Sequence, residues 1–178
     1  VAAGKYTENI VVPKENLALK GASGTLPENV VIEAPNSTGY VVSTGEADYF
    51  TIEGFTLQGG LNQGSNSFGA SGLFANSGST SKRLDITARN LIVKNNAHGI
   101  QIVSFNSGSI TVEKNLITNN GFAGIQVSHN GSSAVLNVKN NTIANNTGVY
   151  GGYYDGGAIV GDTRVFRNNI FANNSAGI

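Results

Sequence analysis

The chain has 178 residues, in which eleven basic side chains balance eleven acidic ones, and it contains no cysteine. Zero net charge gives no field that favours nucleic acid or an anionic membrane, and without cysteine neither disulfides nor thiolate metal sites can form. The length suits one well-cored domain, 1–178, and no apolar run approaches the roughly 18 residues of a membrane span. We therefore expect no nucleic-acid partner and no membrane span.

The sequence pattern predicts short β-strands. Apolar and polar residues alternate with a period of two, and asparagine and glycine, at 24 positions each, separate the short apolar segments. A helix would tolerate this much glycine and asparagine poorly. The first third predicts two turns of a coil, one with strands at 10–12, 17–19 and 30–32, and the next with strands at 40–42, 50–52 and 55–57.

The rest of the chain repeats around four of its Asn-Asn pairs, separated by steps of 24, 26 and 28 residues: Asn95-Asn96, Asn119-Asn120, Asn145-Asn146 and Asn173-Asn174. A short apolar strand precedes each pair, and a further asparagine precedes each strand, at Asn90, Asn115, Asn141 and Asn169. A glycine followed by an apolar residue begins the next strand. We expect 72–75, 99–103, 124–128 and 157–161 to stack as one sheet.

A three-residue strand needs a neighbour to satisfy its backbone groups. Stacked on the equivalent strand one repeat later, at ~4.8 Å, it gains hydrogen bonds and buries its inward side chain. Asparagine suits the bends because it tolerates the left-handed conformation, and stacked amides can hydrogen-bond along a column. The pattern predicts an all-β parallel β-helix, a single-stranded solenoid of about six rungs. A β-sandwich is the alternative, but it gives no reason for evenly spaced asparagine pairs.

Two stretches resemble a known superfamily. Residues 4–12 (GKYTENIVV) with 17–21 (LALKG), and the later pattern I..N.I..NN..GI, resemble the right-handed parallel β-helices of the pectate-lyase-like superfamily. The resemblance implies a right-handed coil and an extracellular polysaccharide as partner, but the same repeat serves lyases, hydrolases, esterases and surface proteins. The Gln-Asp-Thr segment of the esterases and the Arg-x-Pro-x-x-Arg of calcium-dependent lyases are missing from the sequence, so neither activity is carried over.

The resemblance also implies a substrate groove along one sheet, which we place at 99–103, 124–128 and 157–161. Its outward residues would be Val41, Phe74, Gln101, Gln126 and Ile159. Gln101 and Gln126 are candidate sugar contacts, because an amide both donates and accepts hydrogen bonds. The alternative is a stacked glutamine ladder on a solvated face. The strip carries no charge, so we expect no metal and no cofactor.

Two long loops, 59–71 and 147–156, enter this sheet. The second contains Tyr150, Tyr153, Tyr154 and Asp155, which we take as substrate-binding candidates because tyrosine faces pack on sugar C–H surfaces. The alternative is a loop whose tyrosines fold back over the coil. Asp155 and Asp162 are the candidate catalytic pair, since a glycosidase needs two carboxylates roughly 5–10 Å apart.

His98 and His129 flank the same sheet at opposite strand ends. A histidine can act as a general base near neutral pH, and both are candidates for substrate binding. Surface polar groups are the alternative reading of these two residues.

Two functions follow for the whole chain. The first is a secreted or cell-surface β-helix that binds a polysaccharide, and processes it as a lyase or glycoside hydrolase if it is an enzyme. The second is a non-catalytic surface stalk, adhesin or fibre segment. Both ends of the sequence fall inside a repeat, so we interpret the chain as a piece of a longer one and expect its strand edges to favour end-to-end self-association.

Overall fold

The structure is a computed structural model that describes residues 1–12, 16–35, 39–45, 48–61, 70–77, 83–104, 107–129, 134–148, 153–156 and 164–175. For Ser104, His129 and residues 153–156 the description covers the backbone.

The described residues form nineteen strands in three parallel sheets and one short 3₁₀ turn, Pro27–Asn29. The first sheet contains β1 Gly4–Thr7, β4 Val30–Glu33, β7 Thr56–Gln58, β10 Ile92–Lys94, β13 Leu116–Thr118, β16 Thr142–Ala144 and β19 Ile170–Ala172. The second contains β2 Ile10–Val11, β5 Val42–Ser43, β8 Ser71–Asn76, β11 His98–Ser104, β14 Ala123–His129 and β17 Tyr153–Gly156. The third contains β3 Leu17–Lys20, β6 Tyr49–Glu53, β9 Asp85–Arg89, β12 Ser109–Glu113, β15 Val135–Lys139 and β18 Arg164–Arg167.

Each rung contributes one strand to each sheet, and every strand pairs in parallel with its equivalent in the next rung. Six complete rungs, followed by β19, confirm the predicted parallel β-helix and its rung count. Strands β2 to β7 confirm the two turns predicted from alternation, except that the strand predicted at 40–42 is Val42–Ser43. The sheet predicted from 72–75, 99–103 and 124–128 is present as β8, β11 and β14.

The core is a stack of matching apolar side chains. In β9 and β12 alternate residues are buried, as the period-two pattern requires, and Ile86 pairs with Ile110 in register. The same register aligns Leu73, Ile100 and Ile125 in the second sheet. All three of these side chains are fully buried, so successive rungs close a continuous dry interior.

The two residues of each Asn-Asn pair have different tasks. The first residue is exposed and left-handed, with φ between 53° and 56° at Asn95, Asn119, Asn145 and Asn173. The second residue enters the coil and forms a column: Asn96, Asn120, Asn146 and Asn174. Each of the first three donates its Nδ2 to the Oδ1 of the next asparagine in the column, at 3.0–3.2 Å. We call this column the first ladder.

A second ladder lies at the bend between the third and first sheets. Asn115 donates its Nδ2 to Asn141 Oδ1, and Asn141 donates to Asn169 Oδ1, each at 3.0 Å. Asn90 was grouped with these residues in the repeat, but it takes the left-handed position, with φ 53°, and Leu91 occupies the column. The Leu91 N–H donates to Asn115 Oδ1 at 2.9 Å, so the amide ladder begins one rung later than the spacing suggested.

Charged residues alternate along the outside of the third sheet. Arg89 Nη2 lies 2.9 Å from Glu53, and Lys139 Nζ lies 3.2 Å from Glu113. The hydrogen bond that Arg89 donates to Glu53 raises the pKa of Arg89 above its usual value. Opposite charges in register favour correct pairing, although each exposed pair contributes only about 0.2–1 kcal/mol.

Candidate functional site

The outer face of the second sheet contains one continuous column of residues in register. Ser43 pairs with Phe74, Phe74 with Gln101, and Gln101 with Gln126. We call these four residues the second-sheet strip. Val41 was predicted to belong to it but is wholly buried in the core, and Ser43 occupies the position beside Phe74. Val41 lies before the strand begins, so strand alternation does not apply to it. Ile159 lies outside the described residues.

An aromatic pair stands at one end of the strip. The rings of Tyr40 and Phe74 are stacked, with centroids 4.8 Å apart and an angle of 6° between their planes. Both side chains are partly exposed. Offset aromatic stacking of this kind stabilises the pair and keeps both rings in fixed orientations.

The two glutamines of the strip contact one another. Gln101 Nε2 donates to Gln126 Oε1 at 2.9 Å. Their exposed fractions are 1% and 4%, so the stacked pair is buried and does not lie on a solvated face. A direct sugar contact by either amide stays a prediction.

The structure does not bring the two histidines together. His98 begins β11 opposite Ala123, whereas His129 ends β14 opposite Ser104, so they lie at opposite ends of the sheet. His98 is only 2% exposed, and its ring packs on Phe122 with centroids 4.6 Å apart. It is therefore not a surface polar group. Substrate binding by either histidine stays a prediction.

The tyrosine-rich segment is partly a strand. Tyr153, Tyr154 and Asp155 belong to β17, where they pair with Ile125, Gln126 and Val127. The sixth strand of the second sheet is therefore 153–156, four residues earlier than the predicted 157–161, because Tyr153 follows a glycine just as Ile125 does. Tyr150, Asp162 and residues 157–161 lie outside the described residues.

The third sheet contains a feature that the sequence reasoning missed. A cleft of about 380 Å³ crosses its outer face from β3 to β12, between Tyr49, Asp85 and Ser109 on one side and Thr51 and Thr87 on the other. Asp85 Oδ1 accepts hydrogen bonds from the Ser109 N–H at 2.9 Å and from Arg83 Nη2 at 3.0 Å. The Asp85 hydrogen bond raises the pKa of Arg83 above its usual value.

The described part of the chain contains neither a cluster of metal-ligating residues nor a helix suited to crossing a membrane. Its histidine, aspartate and glutamate residues form no group of three that could hold a metal ion. Among the same residues, no helix combines the length and the hydrophobicity that crossing a bilayer would require.

Three stacked parallel sheets, joined by left-handed asparagine bends and buried amide ladders, define a parallel β-helix protein. The chain belongs to the family described as "right handed beta helix region", whose model matches residues 15–178. The coil is therefore right-handed, and the fold implied by the resemblance is confirmed. No curated protein and no solved structure matches the chain.

Proposed function

We propose that this protein is a secreted or cell-surface β-helix that binds an extracellular polysaccharide along the outer face of the second sheet. The observation that carries the proposal is the register of β17, which sets Tyr154 beside Gln126 and so continues the column of the second-sheet strip with a tyrosine. The aromatic positions Phe74 and Tyr154 then lie on either side of the buried Gln101–Gln126 pair along a single sheet, with neighbouring strands ~4.8 Å apart. Such a rigid row suits an extended chain of sugars.

The chemistry of the strip favours a ligand with many hydroxyl groups. Tyrosine combines an apolar ring, which packs on sugar C–H groups, with a hydroxyl that hydrogen-bonds. The fixed Tyr40–Phe74 stack offers a second aromatic surface at the other end of the strip. Side chains held by the coil lose little conformational entropy on binding, which favours affinity.

We also propose that the protein cleaves the polysaccharide that it binds. Asp155 belongs to β17, and Asp162 follows it by seven residues in the sequence. If the two carboxylates act as an acid and base pair, a separation of about 5–5.5 Å would predict retention of the sugar configuration and one of about 6.5–9.5 Å would predict inversion. A lyase would instead release unsaturated ends, so the products distinguish the two reactions.

Combined replacement of Tyr154, which continues the strip, and of Asp155 by alanine tests the second-sheet site. We expect at least about tenfold weaker binding to whichever polysaccharide the unmodified protein binds, because an aromatic surface and a carboxylate are lost together. The assay measures binding to polygalacturonate and to neutral glycans, and follows unsaturated products and reducing ends.

The matched control is Leu116→Ala, which alters an exposed residue, 39% accessible, on the first sheet. It should leave binding and turnover unchanged. Equal binding by the double variant and the unmodified protein would remove the second-sheet site from consideration.

A non-catalytic stalk or fibre segment is the second candidate. The observation that favours it is the exposure of the outermost strands: Val11 on β2 is 59% exposed, and the core-facing Phe171 on β19 is only partly buried. Strand edges with apolar neighbours promote pairing between chains.

For the 178-residue chain we therefore expect end-to-end self-association that grows with concentration in sedimentation experiments. Val11→Lys should weaken it, because a charge on an edge strand opposes pairing, whereas Leu116→Lys in the middle of the coil should not. A clean monomer at high concentration would contradict this prediction.

A further inference from the structure

The cleft on the third sheet, defined above by Tyr49, Thr51, Asp85, Thr87 and Ser109, lies on a different face from the second-sheet strip. Its volume of about 380 Å³ falls within the usual range of small-ligand sites, ~300–1,000 Å³. It crosses four successive strands of the sheet, so its length follows the axis of the coil.

Tyr49 provides the aromatic surface of this cleft. It begins β6, pairs with Asp85 in the next rung, and is 44% exposed. A single exposed aromatic residue is unremarkable on its own. This one stands beside a row of polar groups, which gives it the combination of ring and hydrogen-bonding partners that recognises sugars.

Two threonines form the opposite side. Thr51 and Thr87 pair in register, so their hydroxyls repeat at strand spacing, ~4.8 Å. Both side chains are partly exposed, and neither hydroxyl has a hydrogen-bond partner among the described residues. Each hydroxyl can both donate and accept, which suits neutral hydroxyl groups of a ligand.

The charge of the cleft is balanced. Asp85 is the one carboxylate among the described lining residues, which include no basic side chain, and Arg83 pairs with it through two hydrogen bonds. The carboxylate is held in place by the Ser109 N–H as well. Arg83 lies outside the lining residues but pairs with the carboxylate, so a positively charged ligand gains little there, whereas a negatively charged ligand would meet the carboxylate itself.

We propose that this cleft binds a neutral oligosaccharide, with a sugar ring packed on Tyr49 and its hydroxyls bonded to Thr51, Thr87 and Asp85. The site is separate from the second-sheet strip, so it goes beyond the function proposed above. It selects neutral sugars over uronates because its carboxylate repels a second carboxylate.

The test measures binding by calorimetry to four probes: cellohexaose, mannohexaose, xylohexaose and hexagalacturonate. We expect at least one neutral probe to bind and hexagalacturonate to bind more weakly. Tyr49→Ala should weaken binding of the neutral probe by about tenfold or more, whereas Tyr49→Phe retains the ring and most of the affinity. Thr87→Val, which keeps the shape and removes the hydroxyl, should weaken it by about threefold or more.

Leu116→Ala serves again as the control, and urea denaturation checks that each variant is folded. The double variant of Tyr154 and Asp155 distinguishes the two faces. Binding that survives in this variant and is lost with Tyr49→Ala assigns the neutral probe to the cleft. Binding lost with the double variant and unaffected by Tyr49→Ala would overturn the cleft and leave the second-sheet proposal standing. Failure of all three neutral probes to bind, or a preference for hexagalacturonate, would also overturn it.

Discussion

Replacing Asn120 by alanine is expected to lower the free energy of unfolding by about 3–5 kcal/mol. The side chain is wholly buried, and its Oδ1 accepts from the N–H and the Nδ2 of Asn96 at 3.1 and 3.2 Å. Its Nδ2 donates to Val93 O at 3.1 Å and to Asn146 Oδ1 at 3.0 Å. Alanine leaves these groups in a dry interior with fewer partners, each at a cost of roughly 1–3 kcal/mol. Urea denaturation followed by circular dichroism measures the loss.

The neighbouring Asn119 supplies the control. It is exposed and left-handed, with φ 55°, a conformation that glycine adopts without strain. Asn119→Gly should therefore change the free energy of unfolding by less than about 1 kcal/mol. If the two variants lose equal stability, the buried amide bonds contribute nothing beyond what the bend itself requires, and the ladder is not what holds adjacent rungs together.

The coil could be predicted from the sequence because its two constraints are both local. Strand alternation shows which side chains face inward, and the left-handed bends favour asparagine or glycine at fixed offsets from the strands, although Lys114 takes this position at one bend. These constraints located the strands around Asn95 and Asn119 correctly. They also identified the weaker repeats at the start of the chain, where Gly54 and Gly59 take the left-handed positions, with φ 80° and 83°.

The sequence-based predictions were wrong where a local pattern is compatible with two positions of an asparagine or of a strand. Asn90-Leu91 and Lys114-Asn115 have the same backbone conformation, but only the second places an amide in the column. Spacing alone cannot distinguish an asparagine that bends the chain from one that stacks. The strand at 153–156 was misplaced for a similar reason, because several glycines follow Asn146 and any of them could begin the next strand.

The functional surfaces were harder to predict because they depend on contacts between rungs. Alternation gives the outward direction of Gln101 correctly, but its 1% exposure depends on groups outside its own strand. Tyr49 and Asp85 are 36 residues apart, and only the register between β6 and β9 makes them neighbours. Each of the two residues comes one residue before a buried core residue of its strand. An alignment of the repeats on those core residues could have predicted that the two are neighbours.

Gly99→Ala is expected to cost at least about 3 kcal/mol of stability, the upper range for overpacking. A Cβ at this position would lie 2.3 Å from the backbone oxygen of Gly124 and 2.7 Å from Ile117 Cγ2. The oxygen belongs to the adjacent strand of the second sheet, so it cannot move away without disturbing the pairing of β11 with β14. This close approach explains why glycine is the second residue of β11, and a Cβ on Gly72, the second residue of β8, would likewise lie 2.9 Å from the backbone oxygen of Gly99. Urea denaturation of the variant gives the loss directly.

Gly121→Ala separates this clash from the general effect of removing a glycine. The nearest atom to a Cβ there is Asn96 O at 3.9 Å, so alanine should be neutral or stabilising by about 0.4–1 kcal/mol. An equal loss of stability in both variants would show that glycine is needed at position 99 for its backbone freedom and not for the close approach of the two strands.

A Cβ added at Gly99 would also lie 3.0 Å from Asn120 Nδ2. Because removing that amide opens space beside it, Gly99→Ala combined with Asn120→Ala should cost less than the sum of the two single losses.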